Sequence, residues 1–239
     1  MNIKSIIRSI WIASALLRDP GSIKFAHLWI PPLLPSQFPL SDKVPWITYK
    51  AIAWLKSYFK PNMFVFEYGS GHSTIFISRR VYKLISVEHD RAWHSRVSSM
   101  LSKEAISNCE YILCEPEYKI SAEVASYGYN SYTSAVTEFA GMSFEKYVKI
   151  IDKYPDESFD LVIVDGYARA SCIAHAITKI RHGGYLLLDN SEEEKYNSVK
   201  SLLACYKRTD FFGAGPYLSF LWQTSVWEIK FVDSFNSLH

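Results

Sequence analysis

Short apolar runs recur along the middle and C-terminal parts of the chain, most of them followed by a stretch whose apolar positions have helical spacing. Met63 to Phe66 is the first run, leading through a glycine-rich turn into a helix-like stretch that reaches Arg80. Leu84 to Val87 is the second, with a helical pattern from Ala92 to Leu101, and Tyr111 to Cys114 is the third. Leu161 to Val164 is followed by a helix from Ala168 to Ile180, and Tyr185 to Leu188 by a helix through Leu203. Strands alternating with helices predict a parallel sheet buried on both faces. The end of the chain breaks this rhythm. Thr209 to Phe212 and Thr224 to Phe231 are joined by a segment beginning Gly213-Ala214-Gly215-Pro216, with no room for a crossover helix, which predicts an antiparallel hairpin at the sheet edge.

The N-terminal part reads differently. A helix is predicted to start at Ser41-Asp42, to tolerate Pro45 in its first turn, and to run through Trp46, Ile47, Ala51, Trp54 and Leu55 to about Phe59 before Pro61-Asn62. Residues 18–41, rich in proline and aromatics (Pro31, Pro32, Pro35, Pro39, Trp29, Phe38), read as a connector or lid. Further upstream, Ile3, Ile6, Ile7, Ile10 and Leu17 share one helical face, with Lys4, Ser5 and Arg8 off it. The apolar run from Ile10 to Leu17 falls well short of the roughly 20 residues that cross a bilayer. It is followed by Arg18-Asp19-Pro20 where a signal peptide has small residues. Such a helix suits docking on the core or on a second subunit, as in a homodimer; lying on a membrane surface is the other reading. Two regions result: 1–60, an N-terminal helical extension and lid, and 61–239, the α/β domain. Between Glu115 and Met142 the alternation lapses, and Tyr118, Tyr127, Tyr129 and Tyr132 stand among serines. A stretch that long is a candidate substrate-covering insertion.

Composition narrows the partners. With 49% hydrophobic and 21% charged residues among 239, and a net charge of +2, the chain is globular and lacks the basic excess of a nucleic-acid-binding protein. Cys109, Cys114, Cys172 and Cys205 have no zinc spacing and no Cys-x-x-Cys pair, which points to free thiols and a cytoplasmic protein.

The chemistry gathers at the strand ends. The first strand ends in Glu67 and runs into Gly69-Ser70-Gly71, where glycines permit a tight turn and close approach of a ligand. Glu88, at the end of the second strand, stands 17 residues beyond Gly71 and can accept hydrogen bonds from both hydroxyls of a ribose. A nicotinamide enzyme also uses Gly-x-Gly, but adds a third glycine where this chain has Thr74. Glu67 before the loop would repel a diphosphate, yet suits the ammonium of an amino acid. A ligand with an amino-acid end and a ribose fits, and S-adenosylmethionine is one.

Here the sequence resembles the class I S-adenosylmethionine-dependent methyltransferases. Phe66-Glu67-Tyr68-Gly69-Ser70-Gly71-His72-Ser73-Thr74 is similar to their first motif, and Ser86-Val87-Glu88-His89-Asp90 to their second. Phe159-Asp160-Leu161-Val162-Ile163-Val164-Asp165-Gly166 and Gly183-Gly184-Tyr185-Leu186-Leu187-Leu188-Asp189-Asn190 resemble the fourth- and fifth-strand motifs, in family order across residues 42 to 232. The resemblance implies a doubly wound, mostly parallel α/β sheet of seven strands with an antiparallel last strand, here with extra N-terminal helices. It also implies that Glu67, Gly69 and Gly71 surround the methionine part, that Glu88 holds the ribose, and that Glu115 lies near the adenine. Tyr68, Ser70, Ser73, Thr74, His89 and Asp165 would complete the cofactor site, with Tyr68 and Trp93 as packing residues.

Asp165, Asp189 and Asn190 further resemble the metal-binding trio of catechol-type O-methyltransferases, a donor set suited to Mg²⁺. Those enzymes carry a lysine where this chain has Ala168; Arg169 follows, and suits an anionic substrate better than the role of base. Asp165, His72 and Arg169 are the candidate catalytic residues, with His89 and His175 as further histidines in reach of that role. No Asn-Pro-Pro-Tyr-type motif for amino-group methylation follows the fourth strand, and the aromatic segments suit a small molecule or sugar, so a hydroxyl is the expected acceptor. The alternatives are an NAD-dependent oxidoreductase and a non-catalytic cofactor-binding or membrane-peripheral module.

Overall fold

The structure is a computed structural model that describes residues 13, 14, 17–29, 44–118, 128–134, 136–216, 218 and 220–230. The isoleucines of the predicted first helix, the prolines from Pro31 to Pro39 with Phe38, the Ser41-Asp42 helix start, and Tyr127 lie outside the described residues.

Seven strands form one sheet: β1 (Phe64–Tyr68), β2 (Lys83–Glu88), β3 (Cys109–Leu113), β4 (Phe159–Val164), β5 (Ile180–Asp189), β6 (Lys207–Gly213) and β7 (Trp222–Ile229). Their order is β3-β2-β1-β4-β5-β7-β6. The first five run parallel, while β7 is antiparallel to both β5 and β6. The C-terminal hairpin thus inserts its second strand into the sheet and leaves β6 at the edge. The chain order reverses direction between β1 and β4, and in open α/β sheets the crevice at that switch point is where ligands bind.

Helices α1 (Tyr49–Tyr58), α2 (His72–Ser78), α3 (Arg91–Lys103), α4 (Arg169–Ala176) and α5 (Asn197–Leu202) cover the faces. Alternate strand residues point to opposite sides. Val65, Leu161, Ile163, Leu187 and Val226 pack with Ile52, Leu55, Phe76 and Ile77, so α1 and α2 share one core with the sheet. Phe66, Tyr68, Val162, Val164, Leu186 and Leu188 face the other way, onto Tyr147, Ile151, Cys172, Ile173 and Val199. Helix α1 starts later than its sequence pattern predicts. Thr48 caps it, its hydroxyl accepting from the Ala51 N–H at 3.4 Å, and the stretch around Pro45 and Trp46 stays outside the helix. A threonine hydroxyl that satisfies a free first-turn N–H sets the boundary more strongly than continued apolar spacing does.

Residues 19–28 are tied to this frame. Lys50 Nζ donates to both carboxylate oxygens of Asp19 (2.8 and 2.9 Å) and to the Phe212 carbonyl (2.8 Å), and the Ala214 N–H donates to Ser22 Oγ at 3.1 Å. Among the described residues, no helix is long and apolar enough to cross a membrane. In the segment after β3, Glu117–Tyr118 pairs antiparallel with Met142–Ser143, and Tyr132 packs on α4, its hydroxyl 3.1 Å from His175 Nε2.

Candidate active site

Two adjoining cavities open at the C-terminal ends of the strands, each of about 210 Å³. The first lies over β1, β2 and β4 and is lined by Trp46, residues 69–73, Glu88, His89, Asp90, Trp93 and residues 165–167. The second is lined by Gly128, Thr133, Ser134, Val136, residues 165–170, Lys195 and Tyr196. Asp165, Gly166 and Tyr167 belong to both, so the loop after β4 is the shared wall.

The glycine loop is shaped by contacts that leave no room for side chains. Gly69 has φ +88°, and a Cβ there would sit 2.6 Å from the Gly166 backbone. The Gly69 N–H donates to the Val87 carbonyl at 3.0 Å and the Asp165 N–H to the Tyr68 carbonyl at 2.9 Å, which stitches the ends of β1, β2 and β4 together. Trp93 Nε1 donates to the Ser70 carbonyl at 2.9 Å and holds the loop from the α3 side.

Glu88 is the anionic centre of the first cavity. Its Oε2 accepts from the Ser70 N–H (3.1 Å) and hydroxyl (2.6 Å), and its Oε1 from the N–H groups of His89 (2.8 Å) and Asp90 (2.9 Å). Burial pushes this carboxyl's pKa up, but the hydrogen bonds from His89, Asp90 and Ser70 outweigh burial and bring it down to about 2. Glu88 therefore stays charged at any physiological pH. With Asp90 and Asp165 it puts three carboxylates on this cavity, against no lysine or arginine in its lining.

Glu67 departs from expectation in its burial. It lies near the end of β1, as expected, but is 0% exposed and does not line the cavity. Its Oε2 accepts from Thr74 Oγ1 (2.7 Å) and Ser86 Oγ (2.6 Å), while Thr74 Oγ1 accepts from the Gly71 N–H (3.0 Å). Glu67 and Thr74 thus brace the loop from beneath. Burial raises the Glu67 pKa from 4.5 to about 7 against the pull of the serine and threonine donors. An acid with a higher pKa folded than unfolded takes up a proton on folding. Its contribution is complete below pH 4.5 and fades as the pH rises to about 7, by about 3 kcal/mol. Urea unfolding of the wild type from pH 5 to 8 should show this fall, and Glu67→Gln, an isostere of the protonated form, should lack it. Parallel pH dependences would sink the assignment.

The other predicted residues divide. Gly69, Ser70, Gly71, His72, Ser73, Glu88, His89 and Asp165 line the first cavity. Tyr68 is wholly buried and donates to the Val148 carbonyl at 2.5 Å, a packing role. Glu115 pairs with Arg91 at the surface and reaches neither cavity. His175 bonds Asp152 at 2.9 Å on the outer side of α4 and lines neither cavity. Trp46, Asp90 and Tyr167 were not singled out for the site by sequence reasoning. Asp90 is the last residue of the second motif and Tyr167 directly follows the fourth-strand motif, whereas Trp46 reaches the cavity only through the fold. His89 packs against Tyr167, ring centroids 4.2 Å apart, and both rings meet Phe139.

The proposed metal trio does not form an open donor set. Arg169 Nε donates to the Gly166 carbonyl (2.8 Å), and Nη1 to the Asp189 carbonyl (2.6 Å) and Asn190 Oδ1 (3.2 Å). Its Nη2 reaches the Asp165 carbonyl and Oδ1, both at 3.1 Å. The Asp189 carboxylate accepts instead from Trp222 Nε1 (3.1 Å) and from Thr224 Oγ1 (2.6 Å), its cross-strand partner. Neither Asp189 nor Asn190 lines either of the two cavities. Among the described residues, no cluster of three or more His, Cys, Asp or Glu could hold a metal. The fit to Mg²⁺ therefore fails, because a guanidinium already sits among these groups. Four of the five N–H donors of Arg169 are hydrogen-bonded to these groups and its charge is paired with the Asp165 carboxylate, so little of it is left for an anionic substrate.

No family model matches the chain, and no curated protein is similar to it in sequence. Solved structures do match. An rRNA methylase from Streptococcus thermophilus aligns with a TM-score of 0.50 at 12% identity, over 74% of this chain and 93% of that one. The O-methyltransferase TomG from Streptomyces achromogenes, in complex with S-adenosylmethionine, aligns with a TM-score of 0.51 at 15% identity, over 71% and 74%. A putative rRNA methylase from Clostridium thermocellum gives 0.51 at 12% identity, over 76% and 94%. Seven strands in this order with an antiparallel β7, together with these matches, give the chain the Rossmann-like fold of the class I S-adenosylmethionine-dependent methyltransferases.

Proposed function

We propose that the protein is an S-adenosylmethionine-dependent methyltransferase that methylates a hydroxyl of a small molecule or sugar. The observation that carries this reading is the sign of the first cavity. Glu88 and Asp90 line it with no lysine or arginine among the lining residues, and the third carboxylate, Asp165, is paired with Arg169 behind the wall, so the cavity carries net negative charge that attracts a ligand bearing a sulfonium and an ammonium and repels the diphosphate of a nicotinamide dinucleotide. The residues fit the cofactor in kind: Glu88 to hold ribose hydroxyls, the backbone at Gly69 and Gly71 for close approach, and Trp46 and Trp93 as apolar walls. When bound, the cofactor supplies a methyl group already activated for transfer. Asp165, at the shared wall, is placed to take the acceptor's proton as its oxygen gains the methyl group. His72 stands only on the cofactor side, and Arg169 is committed to its own contacts, so we assign the proton transfer to Asp165.

The second cavity supports a small acceptor. A cavity of about 150 Å³ holds a benzene ring, and the 210 Å³ here, walled by Thr133, Ser134, Lys195 and Tyr196, suits a group of about that size with polar substituents. The four free cysteines support a reducing, cytoplasmic location.

Calorimetric titration with S-adenosylhomocysteine, with NADH in parallel, tests the reading. The first should bind and the second should not. Glu88→Ala should weaken S-adenosylhomocysteine about 10- to 100-fold, as loss of a charge-assisted hydrogen bond to the ribose requires. Binding of NADH alone, or of neither ligand by folded protein, sinks it.

A further inference from the structure

Arg169 is the feature that the cofactor reading leaves unexplained. It follows Ala168, which takes left-handed backbone angles (φ 49°), uncommon for a residue with a side chain, and so turns the start of α4 back over the ends of β4 and β5. There the guanidinium meets five oxygens from four residues: the carbonyls of Asp165, Gly166 and Asp189, the amide oxygen of Asn190, and the carboxylate of Asp165. These are hard oxygen donors at two neighbouring strand ends, the kind of set that gathers around a divalent cation. Here they gather around a guanidinium that donates four hydrogen bonds to them and pairs its charge with the carboxylate.

We infer that Arg169 is a fixed internal cation standing where a divalent metal ion would otherwise sit, so that the site works without a bound metal. This inference rests on the methyltransferase reading for its chemistry. Arg169 acts as a positioning residue: it holds the Asp165 carboxylate at the wall between the two cavities and ties the loop after β5 to the loop after β4. A metal ion would add a second positive charge within a few ångströms of the guanidinium, a repulsion that the surrounding oxygens already spent on Arg169 cannot offset.

Mn²⁺, followed by electron paramagnetic resonance, tests this without an acceptor. The wild type should leave the signal of free Mn²⁺ unchanged, with or without S-adenosylhomocysteine, and its affinity for S-adenosylhomocysteine should be the same in chelator as in excess Mg²⁺. Arg169→Met should bind Mn²⁺ at least about tenfold more tightly than the wild type, since the oxygen donors lose their cation, and should melt at a higher temperature with Mn²⁺ present. Mn²⁺ uptake by the wild type that disappears in Asp165→Asn overturns the inference. So does a folded Arg169→Met that takes up no Mn²⁺. Should Arg169→Met not fold, the wild-type arm and its Asp165→Asn control decide. Failure of S-adenosylhomocysteine to bind at all speaks against the cofactor reading alone, because the Mn²⁺ measurements do not depend on it.

Discussion

Arg169→Met is expected to lower the free energy of unfolding by about 3 kcal/mol at neutral pH. The side chain is only 14% exposed, and its removal leaves the Asp165 carboxylate without its cation and three carbonyls without their donor. Losing one member of a buried pair costs about 3–5 kcal/mol, and the lower end applies because the Asp165 side chain is 26% exposed and keeps some water. The electrostatics agree in direction. Burial works against the guanidinium's charge, but Asp165 and the acids around it outweigh burial and hold the Arg169 pKa above its ordinary value. Burial together with the nearby Asp165 raises the Asp189 pKa, and Arg169 works against that rise. Urea denaturation of wild type and variant under one buffer measures the difference. A loss below about 1 kcal/mol, the size of an exposed ion pair, would show that the contacts of Arg169 carry no more weight than a surface bridge.

Gly69→Ala should be at least as damaging, and at the other end of the site. Two costs add. An alanine at φ +88° sits in backbone space disfavoured for L-residues by about 1–2 kcal/mol. Its Cβ would also lie 2.6 Å from the Gly166 Cα and N, which are backbone atoms with no rotamer to yield. Overpacking of this kind costs about 1–3 kcal/mol where side chains can adjust, so a total of about 3 kcal/mol or more is expected, with loss of S-adenosylhomocysteine binding because β1 and β4 must part. Gly141→Ala is the control: its φ is +78°, but a Cβ there meets nothing within 4 Å. It should show the backbone cost alone and leave ligand binding intact. Thermal melting with calorimetry separates the two, and equal effects at both positions would refute the close-approach explanation for Gly69.

How much of this was legible beforehand depended on how local the cause was. The alternation of Met63–Phe66, Leu84–Val87 and Leu161–Val164 with helical spacing corresponds to β1, β2, β4 and their helices, because burial on both faces demands continuous apolar strands. The hairpin was readable from a missing crossover, but its insertion between β5 and the edge was not, since local sequence carries no strand order. The start of α1 was not readable because Ser41-Asp42 rank above Thr48 as cap residues, and only the bond from the Ala51 N–H shows that Thr48 caps the helix.

The site divides along the same line. By itself the sequence determined that acids and glycines stand at the ends of β1, β2 and β4, where the cavity opens. Backbone conformation and strand ends follow from residue type and spacing, which are local properties. Only the tertiary structure decided which of those acids face the cavity. Glu67 turned inward onto Thr74 and Ser86 while Glu88 and Asp165 stayed on the cavity, a choice made by side-chain direction on a pleated strand and by the donors packed against each carboxylate. It also decided the fate of the metal trio. Asp165, Asp189 and Asn190 have one meaning around an ion and another around Arg169, and the difference depends on where a long side chain reaches across two strand ends.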